Sequence, residues 1–311
     1  MRVITQRAFG GPDVLEVAEV ESPRPRPTEV LVQVHAIGLN PIEPVIRAGH
    51  FPLLGEPPFV LGWDISGVVV AAEPETWRFR PGDEVFGMPM FPRAAGGYAE
   101  FVAAPARQLA SKPRTVDHAQ AAALPLVGLS AWQALVDLAE VQAGDRVLIH
   151  GGGGGLGHVA VQLAKRLGAH VATTASAAKR EFVTELGADE VIDYQRVDFT
   201  RATDEVDVVL DTVGGDYGER SLQVLRPDGL LVTAVDRTNA ALAAKAQAAG
   251  RRFAGIAVDP DHAVLQRLAD LLDEGHLRVH VAARLPFEQA AHAHRLLEDG
   301  HTTGKIVLTL D

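Results

Sequence analysis

The chain has no cysteine, which excludes disulfides, thiolate nucleophiles and cysteine-ligated zinc. Positive charge is also in short supply: 29 Lys and Arg stand against 40 Asp and Glu, a formal net charge of −11. Such a balance repels polyphosphate and anionic lipid, so nucleic acid and membrane surfaces are poor partners and any basic site must be local. No stretch reaches the ~18 consecutive apolar residues that a membrane helix needs. Residues 1–7 lack the apolar run of a signal peptide, and Arg7 interrupts them. The expectation is a soluble, cytoplasmic protein. No internal repeat is visible, and the Ala-rich stretch 240–249 reads as helix rather than low complexity.

What remains is an ordinary globular composition, 47% hydrophobic and 22% charged over 311 residues, with length for about two domains. The character of the chain changes near residue 120. Before it, strand-like runs at 29–36 and 66–71 are separated by Pro- and Gly-rich punctuation such as Pro23-Arg24-Pro25-Arg26-Pro27 and Pro81-Gly82-Asp83. Alternation with many turns predicts an antiparallel sheet or partial barrel. After it the rhythm becomes strand, turn, helix. An Ala/Leu-rich helix at 121–136 carries a break near Pro125 and Gly128. Strands follow at 146–150, 170–174, 191–193, 206–211, 230–235 and 253–258, with helices at 158–167, 179–186 and 219–225. Six short apolar strands with helices between them predict a parallel, doubly wound sheet. The tail reads as helix 265–272, strand 278–281, helix 288–298 and a closing strand 305–310 that rejoins the N-terminal sheet.

The sharpest motif is Gly151-Gly152-Gly153-Gly154-Gly155-Leu156-Gly157, set between a strong strand and an amphipathic helix. Within Gly152-x-Gly154-x-x-Gly157, Gly152 is expected to permit the tight turn, Gly154 to let backbone approach a pyrophosphate, and Gly157 to pack helix on strand. The helix N-terminus then offers N–H groups and a partial positive charge to phosphate. About twenty residues on, where a carboxylate would bind a ribose 2′-hydroxyl, the strand ends in Thr173-Thr174-Ala175-Ser176 with no acid before Glu181. Ser176, Lys179 and Arg180 instead offer a hydroxyl and two cations to a 2′-phosphate, which favours NADPH over NADH. The plainer alternative is that the two cations solvate the outer face of a helix.

Taken together, several markers resemble the zinc-independent quinone oxidoreductase branch of the medium-chain dehydrogenase/reductase superfamily. They include Gly38-Leu39-Asn40-Pro41, Ile46-Arg47-Ala48-Gly49, Leu61-Gly62-Trp63-Asp64, Gly96-Gly97-Tyr98-Ala99-Glu100, Asp211-Thr212-Val213-Gly214-Gly215 and Thr303-Gly304-Lys305-Ile306-Val307. Their order and spacing cover essentially the whole chain. The resemblance implies an α/β protein with a mainly β, GroES-like catalytic domain, discontinuous over 1–121 and 259–311. A Rossmann domain with a doubly wound parallel sheet fills 122–258, with NADPH held in a cleft between the two. It places Asn40 and Pro41 beside the nicotinamide ribose, Val127 and Ser130 at the nicotinamide, and Gly152, Gly154, Gly155, Leu156 and Gly157 at the pyrophosphate. Ser176, Lys179 and Tyr194 match the residues that receive the adenosine 2′-phosphate, and the segment beginning Val213-Gly214 borders the cofactor. It also implies a homodimer, formed through the 253–258 edge of the Rossmann sheet.

Zinc alcohol dehydrogenases share this architecture, with a Cys near the Asn40 position and Gly-His-Glu where this chain has Gly62-Trp63-Asp64. Asn and Trp are poor zinc ligands, so no metal is expected. The pairs His292/His294 and His276/His280 read as surface residues. No Ser-His-Asp or paired-carboxylate spacing offers a rival chemistry, and the cofactor is expected to carry the reaction. Hydride would pass to a quinone or an α,β-unsaturated ketone as the small, hydrophobic carbonyl substrate. The substrate pocket is expected to use Asn40, Val45, Phe51, Trp63, Met88 and Phe91, with Met90 nearby, although ordinary packing beneath loops explains each aromatic or Met equally well. Val45 and Phe51 stand where family members often carry tyrosines, so no tyrosine donates a proton there. Two alternatives stay open: an enoyl reductase for a biosynthetic intermediate, and a non-catalytic NADPH-binding redox sensor.

Overall fold

The computed structural model describes residues 1–73 and 76–310. They divide into two compact units, Met1–Leu129 with Asp259–Asp311, and Ser130–Val258.

The first unit opens with β1 (Arg2–Gln6), β2 (Glu16–Glu19), β3 (Glu29–Gly38), α1 (Ile42–Arg47), β4 (Phe59–Val60) and β5 (Asp64–Ala72). It continues through β6 (Glu84–Gly87), β7 (Phe101–Pro105), β8 (Leu109–Ser111), α2 (His118–Ala122) and the start of α3 (Pro125–Trp132). Strand β3 shows why a sheet forms. Its Val30, Val32, Val34 and Ala36 alternate inward, the period-2 pattern of a strand with one face in a core. It pairs antiparallel with β5 and β7.

The second unit carries β9 (Arg146–Ile149), α4 (Gly157–Arg166), β10 (His170–Ala175), α5 (Arg180–Glu185), β11 (Glu190–Asp193) and β12 (Val206–Asp211). After these come α6 (Tyr217–Ser221), β13 (Leu225–Thr233), α7 (Ala240–Ala248) and β14 (Arg252–Gly255). All six strands run parallel in the order β11-β10-β9-β12-β13-β14. Val147, Leu148 and Ile149 of β9 are fully buried in succession, as a strand covered on both faces requires. One layer of the core gathers Leu148, Phe199, Val209, Leu222, Leu231 and Leu242. Helix α4 turns Val159, Ala160, Leu163 and Ala164 inward and closes with Lys165 and Arg166, cations suited to a helix C-terminus.

The tail returns to the first unit as α8 (His262–Asp273), β15 (Val281–Pro286), α9 (Ala290–Glu298) and β16 (Lys305–Thr309). The Asp261 side chain caps α8 by accepting from the N–H groups of Ala263 and Val264. Strand β16 inserts between β15 and β3, completing a sheet ordered β15-β16-β3-β5-β6-β8 with β7 on β3.

Three expectations are corrected. The helix placed at 121–136 is α2, α3 and a wider π turn over Gln133–Leu138. The strand expected at 278–281 starts at Val281, which pairs with Lys305 at the first rung of β16. The helix expected at 219–225 stops at Ser221, since Leu225 already pairs with Val206.

The C-terminal end of α2 lies on the end of β3 at Gly38, where a Cβ would overlap the Ala122 carbonyl and come within 3.1 Å of Asp64 Cβ. Gly38→Ala is therefore expected to lower stability by about 2–3 kcal/mol through overpacking. A denaturant midpoint equal to wild type would show that α2 can shift off the strand at no cost.

Candidate functional site

In the second unit, β9 ends at Ile149 and the chain turns at once after His150. Gly151 takes φ +69°, a left-handed conformation, so the tight turn belongs to Gly151 and not to Gly152 as the sequence suggested. Gly152 lacks a side chain for another reason: a Cβ there would overlap the Thr173 hydroxyl on β10. A Cβ on Gly153 would stand 2.7 Å from Cδ of Lys179, whose aliphatic stem lies over the loop. At Gly154 it would meet the Gly151 carbonyl at 3.2 Å, and at Gly157 the Gly152 Cα at 2.7 Å. Gly152 against β10 and Gly157 against the start of the loop thus sit at spacings only glycine allows. Gly155 and Leu156 are half-buried, and Leu156 begins α4 with no side-chain cap on the first helical N–H groups. Such a helix start suits an anion.

At the end of β10, Ser176 and Lys179 are half-buried, and burial lowers the Lys179 pKa, which a bound dianion would reverse. Tyr194 follows β11 and is exposed. Arg180 and Arg196 line an open cavity of about 670 Å³ beside these residues. The turn after β12 is held by Asp211, whose Oδ1 accepts from the N–H groups of Val213 (2.9 Å) and Gly214 (3.0 Å). Val213 is exposed, Gly214 takes φ +79°, and the other Asp211 oxygen is buried without a partner among the described residues.

In the first unit, Asn40 is fully buried and its amide is committed. Nδ2 donates to Asp64 Oδ2 at 2.9 Å, Oδ1 accepts from the Lys305 ammonium, and its backbone N–H donates to Glu43 Oε2 at 2.7 Å. Lys305 also donates to the Leu39 carbonyl at 2.6 Å and lies 3.8 Å from Asp64. Asp64 Oδ1 accepts from Leu126 N–H at 3.0 Å. Burial dominates the electrostatics here. It raises Asp64 to about 6 and Glu43 to about 8, while the Lys305 pKa falls.

A second arm leaves Glu43. Its Oε2 accepts from Tyr98 OH at 3.1 Å, and Tyr98 OH lies 3.0 Å from His294 Nε2. His294 Nδ1 sits 3.0 Å from Nη1 of Arg47, which can only donate, so Nδ1 accepts and Nε2 carries the proton. Arg47 ends the arm on Glu298 at 2.6 Å. His294 is therefore not the surface residue expected but fully buried, and burial beside Arg47 lowers its pKa to about 3. His292 is exposed.

The fold assembles two groupings that no sequence spacing announces. Glu43 and Asp64 form a buried carboxylate pair. Ser66, His118 and Glu84 also meet, with Ser66 Oγ 2.8 Å from His118 Nδ1 and His118 Nε2 3.1 Å from Glu84. Ser66 is fully buried in β5 and donates to the Val85 carbonyl, so it has no access to a substrate. Of the expected apolar wall, Trp63 and Met88 are fully enclosed, and the Trp63 N–H is spent on the Arg93 carbonyl at 2.7 Å. Phe51, Met90 and Phe91 are half-buried, and Phe91 stands edge-on to Trp63 at 5.3 Å. Val45 and Pro41 are exposed, and Val127 and Ser130 are buried along α3.

A six-stranded parallel sheet in this order, with a glycine turn leading from its central strand into a helix, defines a Rossmann dinucleotide-binding unit, here carried with a GroES-like, mainly β unit. The chain belongs to the quinone oxidoreductase branch of the medium-chain dehydrogenase/reductase superfamily. The family model for an alcohol dehydrogenase GroES-like domain matches residues 26–114, and one described as zinc-binding dehydrogenase matches 186–308. The chloroplastic NADPH-dependent alkenal/one oxidoreductase of Arabidopsis thaliana is 34% identical, over 96% of this chain and 77% of that one. The solved quinone oxidoreductase of Coxiella burnetii has 37% identity and TM-score 0.94, covering 100% of this chain and 99% of that chain. Escherichia coli quinone oxidoreductase, solved with NADPH, has 28% identity and TM-score 0.89, with full coverage of both chains.

Glu43 gives a test of the buried pair. Its pKa rises from 4.5 unfolded to about 8 folded, so across that window the folded chain holds a proton the unfolded chain has released. Stability from this group is complete below pH 4.5 and falls as pH rises toward 8, by roughly 3–5 kcal/mol. Glu43→Gln mimics the protonated acid and should flatten the decline in Tm over that range. Identical slopes in both proteins would remove the assignment.

Proposed function

We propose that the chain is an NADPH-dependent oxidoreductase that reduces a quinone or an α,β-unsaturated ketone without a metal. The observation that carries the reading is the glycine loop with Lys179 drawn across Gly153, beside a β10 end that offers Ser176 and no carboxylate. These residues fit a dinucleotide bearing a 2′-phosphate: closely packed backbone and an uncapped helix start for the pyrophosphate, one cation and one hydroxyl for the extra dianion. When bound, NADPH supplies the hydride that reduces the substrate carbon. Tyr194, exposed after β11, is assigned to the same phosphate, and the 213–214 turn to the cofactor's edge.

Pro41 and Val45 keep surface at α1, and Phe51 and Phe91 offer apolar contact for a flat substrate. Asn40 and Asp64 act by holding this backbone in place, since Lys305, Glu43 and Leu126 already occupy their polar atoms. Donor chemistry supports a metal-free site. Trp63 is only a hydrogen-bond donor, the Asn40 amide is committed, and both Asp64 oxygens are bonded.

Anaerobic NADPH oxidation by chelator-treated protein tests the reaction, with a polycyclic ortho-quinone, a simple para-quinone and an aliphatic enone as acceptors. Turnover with at least one acceptor, undiminished by the chelator, is the expected result. Tight NADPH binding with no turnover on any of the three would reject the substrate assignment. Cofactor choice has its own test: Lys179→Ala should weaken NADPH about tenfold or more, the worth of one charge-assisted contact, and leave NADH affinity unchanged. Equal losses for both nucleotides would take Lys179 off the 2′-phosphate.

A further inference from the structure

His150 follows the central strand β9 and is fully buried, yet neither the family markers nor the cofactor contacts assign it anything. Both ring nitrogens are engaged. Nε2 lies 3.0 Å from Ser221 Oγ on α6, and Nδ1 lies 3.3 Å from Thr174 Oγ1 at the end of β10. The directions of these bonds follow from their neighbours. Ser221 spends its one hydroxyl proton on the Tyr217 carbonyl at 2.6 Å, so its oxygen accepts from His150 Nε2–H. Nδ1 of a singly protonated ring then accepts the Thr174 hydroxyl, whose oxygen in turn accepts Gly151 N–H at 3.0 Å. The result is a chain in one sense: Gly151 N–H to Thr174, Thr174 to His150, His150 to Ser221, Ser221 to Tyr217.

The same residue is pinned through its backbone. Its carbonyl accepts from Thr212 Oγ1 at 2.7 Å, at the turn that leads to Val213 and Gly214. Its N–H donates to the Leu210 carbonyl on β12 at 2.9 Å. Phe199 and Tyr217 stand edge-on to the ring at 4.5 and 4.8 Å, and the Arg220 guanidinium lies over both aromatic rings. No carboxylate contacts the imidazole among the described residues. Burial, with Arg220 nearby, pushes its pKa down to about 3, so the ring stays neutral and the chain keeps its sense at ordinary pH.

We infer that His150 is a positioning residue for the cofactor: its imidazole and carbonyl tie the glycine-loop turn at Gly151 and the 212–214 turn into a single register. The inference rests on the assignment of both turns to NADPH. A merely space-filling histidine would need only aromatic bulk; this one also uses an acceptor at Nδ1 and a donor at Nε2, which neutral imidazole supplies from one ring and a phenyl ring cannot.

Fluorescence titration with NADPH tests it on wild type, His150→Phe, His150→Asn, Thr174→Val and the double variant His150→Phe/Thr174→Val. His150→Phe keeps a ring but cuts both bonds, and should raise the NADPH Kd about tenfold or more. His150→Asn restores an acceptor near Nδ1 and should recover most of that loss. The double variant should bind no worse than the weaker single one, because both cut the same chain. If His150→Phe does not fold, Thr174→Val and His150→Asn still carry the comparison. A readout independent of the nucleotide is the nitrogen NMR of His150 in cofactor-free protein, where the Nε2-protonated tautomer should persist from pH 8 to 5. An Nδ1-protonated ring, additive losses, or equal NADPH binding by wild type, His150→Phe and Thr174→Val would each overturn the inference. A wild type that binds no NADPH would instead remove the cofactor assignment and this inference together.

Discussion

An ammonium group buried in a protein interior must find its counter-charge and acceptors there, or the fold cannot bear it. Lys305 is such a group. It comes from the last strand, yet it is satisfied by Leu39, Asn40 and Asp64, from the other end of the chain. Strand β16 carries it into the sheet beside β3, and Asn40 follows the end of β3 almost immediately. Lys305 fixes the orientation of the Asn40 amide, whose Nδ2 in turn donates to Asp64, and Asp64 holds Leu126 N–H. Removing a single partner from such a cluster leaves an uncompensated buried charge, commonly worth 3–5 kcal/mol. The first unit is thus tied across its discontinuity, with Lys305 of the returning strand bonded to groups at the end of β3.

The second unit solves a different problem with neutral groups. A backbone folded tightly enough to receive phosphate oxygens has no room for side chains, and it has little stiffness of its own. The rigidity comes from beneath. Thr173 and Thr174 support the loop from β10, Asp211 holds the turn after β12, and His150 joins the two sides. Of these supports only Asp211 is ionisable in the acid sense, and burial raises its pKa toward the neutral form.

Local patterns were legible where local physics decides. The parallel strands showed as short apolar runs, the glycine turn as a repeat between strand and helix, and the absence of an acid near Ser176 as a preference among nucleotides. What did not show depended on partners distant in sequence. Tyr98 and Lys305 lay inside family markers but carried no visible role, because each is defined by what it touches after folding. The sequence reads His294 as a surface residue, although Ala290 and Ala293 at helical spacing mark the buried side of α9. The positive φ falls on Gly151 rather than Gly152, and five glycines in a row conceal which one takes it. The Ser66, His118 and Glu84 contact was invisible for the same reason and chemically silent for another: its hydroxyl is sealed in a sheet.

Polar groups in both units are bonded to one another rather than held ready for a substrate. A hydrolase or lyase keeps a nucleophile or base exposed and poised; here the buried Tyr98, His150 and His294 end on neighbouring protein groups. That economy fits a reductase whose reacting atoms arrive with the cofactor, because the protein then has only to orient, enclose and keep its own charges quiet. Where orientation of a hydride donor limits the reaction, the hydrogen-bonded supports beneath the loops matter more than any one polar atom facing the substrate.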